Sequence, residues 1–176
     1  RMSHQKMMKH ALKFYDRSQF PALAAQYAAW SADAPLDGAV ILDATPIFNN
    51  TVAKYAALAA AGAEIWAAAL PTIPYDPSVV ELFGEFGIRL LGRDGVPSYI
   101  DVVLDCGASF KNAKTQPRFG FAELTRTGAI AFQNCRAPVF VADDGVVKEF
   151  ETTLGTGDGF ARAFEFLGLG GLNGQK

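Results

Sequence analysis

The sequence has few of the residues on which metal and nucleophilic sites most often depend. It contains two histidines, His4 and His10, both within the first ten residues. Its two cysteines, Cys106 and Cys135, are too few for a disulfide framework, and their spacing matches no metal-binding motif. A zinc or facial-triad iron site is therefore not expected. Proton transfer in the body of the domain would fall to Asp, Glu, Lys, Tyr or Cys.

Long apolar runs and an excess of either charge are also missing. With 16 basic and 18 acidic side chains the formal net charge is −2, which argues against nucleic acid as a partner. No apolar run reaches the roughly 20 residues of a membrane span, and none forms the apolar core of a signal peptide. The low cysteine content favours a reducing compartment, so we expect a cytoplasmic protein with no membrane partner.

Short apolar runs alternate with helical patterns along the chain. Buried strands are predicted at 39–43, 63–68, 88–91, 101–105 and 138–142. Helices are predicted at 22–30, at 51–61 with Asn49 or Asn50 as the cap, at 76–86 and at 122–133. This alternation predicts an α/β fold, a doubly wound three-layer parallel sheet of Rossmann-like or flavodoxin-like type with about five or more strands.

The chain divides into three parts. Residues 1–34 are predicted to form N-terminal helices that pack on the domain, residues 35–159 the α/β domain, and residues 160–176 an outgoing helix and tail. Gly155–Gly159 is predicted to be a break or hinge before that helix. It is not a phosphate-binding loop, because no Gly-Lys-Ser/Thr follows it and it does not fit G-x-G-x-x-G after a strand.

Carboxylates follow several predicted strands, where ligands bind in parallel sheets. Asp105 and Asp143 each end a strand, and either can bind a ligand or stabilise a turn. Lys148 and Glu151 belong to a charged segment that is either part of a site or a solvated face. A phosphorylated receiver domain is disfavoured, since Asp43 has no acidic neighbour and the last strand is not followed by Lys.

Several segments, in their order and spacing, resemble the substrate-binding domain of the S-adenosylhomocysteine hydrolase family. The segments are Phe20-Pro21-Ala22-Leu23, Pro35-Leu36-Asp37-Gly38-Ala39, Gly62-Ala63-Glu64-Ile65, Leu104-Asp105-Cys106-Gly107, residues 123–128 and residues 143–156. The resemblance implies a nucleoside-like ligand and a homo-oligomer. It also implies NAD in the intact protein and none bound by this chain alone, because the NAD-binding domain would begin where the sequence ends, at Gln175-Lys176.

The resemblance also implies a set of site residues. Lys148 and Glu151 would be the catalytic, proton-handling pair, and Thr156 would face the cofactor. The substrate-binding residues would be Asn50, Thr51, Asp105, Cys106, Glu123, Thr125 and Asp143.

The sequence departs from the family where the family's chemistry takes place. The family oxidises a ribose hydroxyl with bound NAD, eliminates homocysteine, adds water and reduces the ketone. Its histidine falls on Pro46, its catalytic lysine on Val147, and its second Asp of Asp-Asp-Gly on Cys106. We therefore expect binding of, or action on, a nucleoside-like small molecule rather than standard S-adenosylhomocysteine hydrolysis. The alternatives are a non-catalytic ligand-binding or assembly module, and an α/β domain whose similarity is architectural only.

Overall fold

Six short strands form one parallel sheet in the computed structural model, which describes residues 3–170. The strands are β1 Val40–Asp43, β2 Glu64–Ala67, β3 Arg89–Leu90, β4 Val102–Asp105, β5 Gly120–Glu123 and β6 Val139–Val141. Their order is β3-β2-β1-β4-β5-β6 and every neighbouring pair is parallel. This arrangement confirms the predicted Rossmann-like fold class.

Helices flank the sheet on both faces. They are α1 Ser3–Ala11, α2 Pro21–Asp33, α3 Val52–Ala60, α4 Pro77–Glu81, α5 Phe83–Phe86, α6 Arg126–Phe132, α7 Val146–Phe150 and α8 Thr156–Phe166. Local sequence sets several ends. Pro21 occupies the first turn of α2, the Asp76 side chain accepts a hydrogen bond from the N–H of Ser78 at the start of α4, and Gly87 ends α5 with φ 72°.

Alternating side chains of the central strands fill two hydrophobic cores. Ile41 packs with Met7 of α1 and Tyr55 of α3 on one face. Leu42 packs with Phe132 of α6 on the other. The apolar sequence of β1, buried at every position, follows from this two-sided packing. Both histidines lie in α1, as the sequence predicts.

The predicted helix at 122–133 is wrong in its first part. Its first two residues belong to β5, which pairs in parallel with β4, and α6 begins only at Arg126. Ala122, Glu123 and Leu124 favour helices in isolation, but pairing between strands outweighs that preference here. The helix starts where the Thr125 hydroxyl accepts a hydrogen bond from the N–H of Gly128.

Two further local expectations differ from the structure. Neither Asn49 nor Asn50 caps α3, because both belong to a 3₁₀ turn, Asn49–Thr51, in which the Thr51 hydroxyl bonds the backbone of Phe48. The break expected at Gly155–Gly159 is not present. Gly155 ends a π-helical turn, Glu151–Gly155, that joins α7 to α8, and the next four residues begin α8. The end of the predicted tail, residues 171–176, lies outside the described residues.

Candidate functional site

Three carboxylates lie side by side at the carboxyl edge of the sheet. Asp43, Asp105 and Glu123 are the last residues of the adjacent strands β1, β4 and β5. Asp105 and Glu123 are partners in the register, and all three side chains are fully buried. The order β2-β1-β4 also makes the gap between β1 and β4 the point where the chain reverses direction across the sheet. In open α/β sheets this is the position of the ligand crevice.

Asp105 holds the start of the loop between β4 and β5. Its Oδ1 accepts hydrogen bonds from the N–H groups of Cys106 at 2.8 Å and Ser109 at 3.0 Å. Its Oδ2 accepts one from the N–H of Phe110 at 3.0 Å. Both carboxylate oxygens therefore accept hydrogen bonds from the backbone. Of the two roles that the sequence left open for Asp105, ligand binding and turn stabilisation, these bonds correspond to turn stabilisation.

Glu123 ties the same loop to the start of α6. Its Oε1 accepts hydrogen bonds from the N–H of Gly107 at 3.0 Å and from the N–H and hydroxyl of Thr125, both at 2.7 Å. Its Oε2 accepts one from the N–H of Ala108 at 3.0 Å. A buried carboxylate with this many donors is well satisfied. Glu123 and Thr125 therefore act together to hold the loop.

The surroundings also raise the pKa of two predicted site residues, Asp105 and Cys106. Burial raises the pKa of Asp105, although its three backbone donors act in the opposite direction and the nearby Glu123 adds to the rise. Burial and the neighbouring carboxylates of Glu123, Asp105 and Asp43 raise the pKa of the Cys106 thiol. Because the thiolate is the reactive form, Cys106 is poorly suited to act as a nucleophile at neutral pH.

Asp43 belongs to a closed ring of hydrogen bonds that the sequence did not indicate. The Lys54 ammonium donates to Asp43 Oδ2 at 2.7 Å and to Thr45 Oγ1 at 2.6 Å. The Thr45 hydroxyl in turn donates to Asp43 Oδ1 at 2.8 Å. The one signal for this ring was a lysine in the otherwise apolar first turn of α3, which is the first α-helix after the strand that ends in Asp43.

Tyr55 lies next to this ring on the buried side of α3. Lys54 Nζ is 4.9 Å from the centre of the Tyr55 ring. The Tyr55 hydroxyl is fully buried and has no hydrogen-bond partner among the described residues. Burial, and after it the charge of Asp43, raises the pKa of Tyr55 well above its ordinary value. The phenol is therefore neutral, and the side chain that forms an ion pair with Asp43 is Lys54.

A crevice cavity of about 390 Å³ opens above the ring at the carboxyl edge. Polar side chains of the β1–α3 segment form one side, namely Thr45, Thr51 and Lys54. The remaining lining is mainly apolar and consists of Pro46, Leu104, Ala122, Leu124, Phe140 and Ala142, together with Glu123. An apolar cavity of this size with a few converging polar groups is typical of a small-molecule site.

The predicted site residues separate into several groups. Thr51 and Glu123 line the crevice cavity. Asp105 ends β4, Cys106 follows it in the β4–β5 loop, and Thr125 caps α6 and bonds Glu123. Asn50 does not line this cavity. It lies instead in a separate cleft of about 370 Å³ with Tyr15, Phe20 and Arg162.

Asp143 and Lys148 belong to a cleft of about 510 Å³ between the start of α6 and α7. Arg126 faces Asp143 there, with 3.9 Å between Nη1 and Oδ2. Lys148 pairs with Glu151 at 2.6 Å. This hydrogen bond, followed by the charge of Lys148, lowers the pKa of Glu151. The two residues that were predicted to handle protons thus form an ion pair, between α7 and the π-helical turn that follows it. Thr156 is exposed at the start of α8.

Two negative observations apply to residues 3–170. No group of three or more His, Cys, Asp and Glu side chains is arranged to hold a metal ion. None of the helices in that range combines the length and the apolar character that a bilayer crossing requires.

Comparison with protein-family models finds no match for this sequence. Comparison with curated proteins likewise finds no significant relative.

Proposed function

We propose that this domain binds a nucleoside-like small molecule in the crevice cavity, as the substrate-binding domain of an adenosylhomocysteinase-like, NAD-dependent protein. The cavity's position carries the proposal. It lies between the loop that follows β1 and the last residues of β4 and β5, beside the reversal point of a parallel sheet, and extends to Phe140 of β6. Its largely apolar lining suits a flat heterocycle, and its polar side suits hydroxyl or carbonyl oxygens.

The β1–α3 loop supports an uncharged ligand over a phosphorylated one. Phosphate-binding loops present free backbone N–H groups. Here the N–H of Thr45 donates to Asp43, that of Ile47 to the carbonyl of Pro74, and that of Phe48 to Thr51. With these amides occupied and carboxylates ending three neighbouring strands, a phosphate would meet few donors and an unfavourable field.

The proposal is tested by calorimetric titration with adenosine and with adenosine 5′-monophosphate. We expect adenosine to bind and the phosphate to weaken binding. Ala122→Leu extends a larger side chain into the cavity and is expected to reduce adenosine affinity. Ala131→Leu is the matched control, because Ala131 is exposed on α6 outside the cavity lining. Unchanged affinity in the Ala122→Leu protein would contradict the proposal.

A non-catalytic binding module is the second candidate, and one observation favours it. The Lys148–Glu151 pair is exposed and lies outside the crevice lining, whereas catalytic proton transfer requires contact with the ligand. An activity assay separates the two candidates. The protein is purified from the organism that produces it and is tested for turnover of S-adenosylhomocysteine with added NAD. Turnover that Glu151→Gln abolishes supports the enzyme, and adenosine binding with no turnover supports the binding module.

A further inference from the structure

We infer that Lys54, positioned by Asp43 and Thr45, is the residue that binds the ligand's polar group in the crevice. This inference rests on the proposed function and specifies the site further. Lys54 lines the cavity, whereas the lysine predicted from sequence, Lys148, lines the separate cleft between α6 and α7.

The ring of hydrogen bonds leaves Lys54 one donor for a ligand. An ammonium group carries three N–H donors, and two of them are directed to Asp43 Oδ2 and Thr45 Oγ1. The Lys54 side chain is 27% exposed, while that of Asp43 is fully buried. The third donor is therefore the part of this ion pair that a molecule in the cavity can reach.

The same ring fixes the position of the ammonium group. A free lysine side chain loses considerable conformational entropy when it binds a ligand. Here two hydrogen bonds, at 2.7 and 2.6 Å, already hold Nζ. A positioned donor binds a ligand with a smaller entropic cost than a flexible one.

The charge on Asp43 determines what kind of group Lys54 binds. Asp43 pairs with the ammonium group, and two more buried carboxylates, Asp105 and Glu123, end the next two strands. Asp43 offsets the charge of the ammonium group, and the carboxylate of Glu123 lines the same cavity, which opposes a carboxylate or phosphate ligand. The arrangement favours a neutral acceptor, the hydroxyl or carbonyl oxygen of a ring compound whose apolar part lies against Leu124 and Phe140.

The test applies three probes, adenosine, phenol and toluene, to the wild type and to two variants, Lys54→Met and Lys9→Met. Binding is followed by nuclear magnetic resonance. Adenosine probes the proposed nucleoside site. Phenol and toluene are similar in shape, but phenol has a hydroxyl where toluene has a methyl group. Their affinity ratio therefore measures what a neutral oxygen contributes to binding, whatever the natural ligand is. Thermal unfolding of each variant checks that the domain is folded.

We expect Lys54→Met to weaken adenosine binding about tenfold or more, as loss of a hydrogen bond to a charged group does, and to abolish the preference for phenol over toluene. Lys9→Met should change neither, because Lys9 is exposed on α1 and does not line the cavity. If adenosine does not bind but the phenol preference depends on Lys54, the nucleoside proposal fails and the inference about Lys54 stands. If the folded Lys54→Met protein keeps the wild-type phenol preference, or the wild type has none, the inference is overturned.

Discussion

Gly128 lies so close to the buried carboxylate of Glu123 that a β-carbon at position 128 would stand 2.1 Å from the carboxyl carbon of Glu123. The Glu123 side chain occupies the space that any other residue would need. Gly128 is also buried in α6, and its N–H donates to the Thr125 hydroxyl that begins the helix. Although glycine is unfavourable in a helix, α6 therefore needs glycine at position 128 to make room for the Glu123 side chain of β5.

Gly128→Ala is expected to destabilise the domain, because either Glu123 or α6 must move to accept the methyl group. Overpacking of this kind costs about 1–3 kcal/mol, measured as the free energy of unfolding in urea. Gly157→Ala is the matched control, since a β-carbon there meets nothing within 4 Å. The control should be neutral or slightly stabilising, and equal effects of the two substitutions would contradict this account of Gly128.

Glu123→Gln is expected to loosen the β4–β5 loop. Glutamine replaces one acceptor oxygen with an NH₂ group, which would face an N–H donor of Gly107 or Ala108. Leaving a buried donor unsatisfied costs about 1–3 kcal/mol. Hydrogen exchange at these two amides should accelerate more than at the β1 amides, and unchanged protection of Gly107 and Ala108 would show that the carboxylate does not hold the loop.

Asp94 provides a pH-dependent test of the β3–β4 loop. Hydrogen bonds from the Arg93 guanidinium and then from the N–H of Leu90 hold the pKa of Asp94 at about 2, below its ordinary value of 3.8. Because the pKa of Asp94 is lower in the folded protein, the charged Asp94 side chain contributes fully to stability at pH values above 3.8. This contribution is lost as the pH falls toward 2. A carbon-13 titration of the carboxyl group should give this value, and Arg93→Met should raise it. Titration at the ordinary value would contradict the observed geometry.

The Lys148–Glu151 pair can be tested without any ligand. Lys148→Met should raise the pKa of Glu151 toward its ordinary value, because the hydrogen bond and charge that lower it are removed. Arg162→Met is the control, since Arg162 pairs with Asp158 instead. If the Glu151 titration is the same in wild type and Lys148→Met, the two side chains are not paired in solution.

Elements with strong local signals were predictable from the sequence. The apolar run of β1 is buried on both faces, so its composition alone indicates a central parallel strand. β5 was missed because Gly120–Glu123 is short and contains good helix formers, and it is a strand only through its pairing with β4 and β6. Strand pairing depends on residues distant in sequence, which a local pattern does not contain.

The candidate site was predictable in its location and less so in its residues. Carboxylates at strand ends indicated the carboxyl edge, where Asp105 does lie. Glu123 was expected in the site only from the family resemblance, within a predicted helix, and ends β5 instead. Their bonds to loop amides and the Asp43–Lys54 contact depend on how loops fold over the edge. Asn50 was expected among the substrate-binding residues, but the 3₁₀ turn before α3 places it in a different cleft from its neighbour Thr51.

The most direct test of the proposed function is to map adenosine binding residue by residue by nuclear magnetic resonance. We predict that adenosine shifts the signals of Thr51, Lys54 and Leu124 at the crevice cavity and leaves those of Thr152 and Thr153, in the α6–α7 cleft, unchanged. Shifts confined to that cleft, or no shifts at millimolar adenosine, would contradict the proposed function.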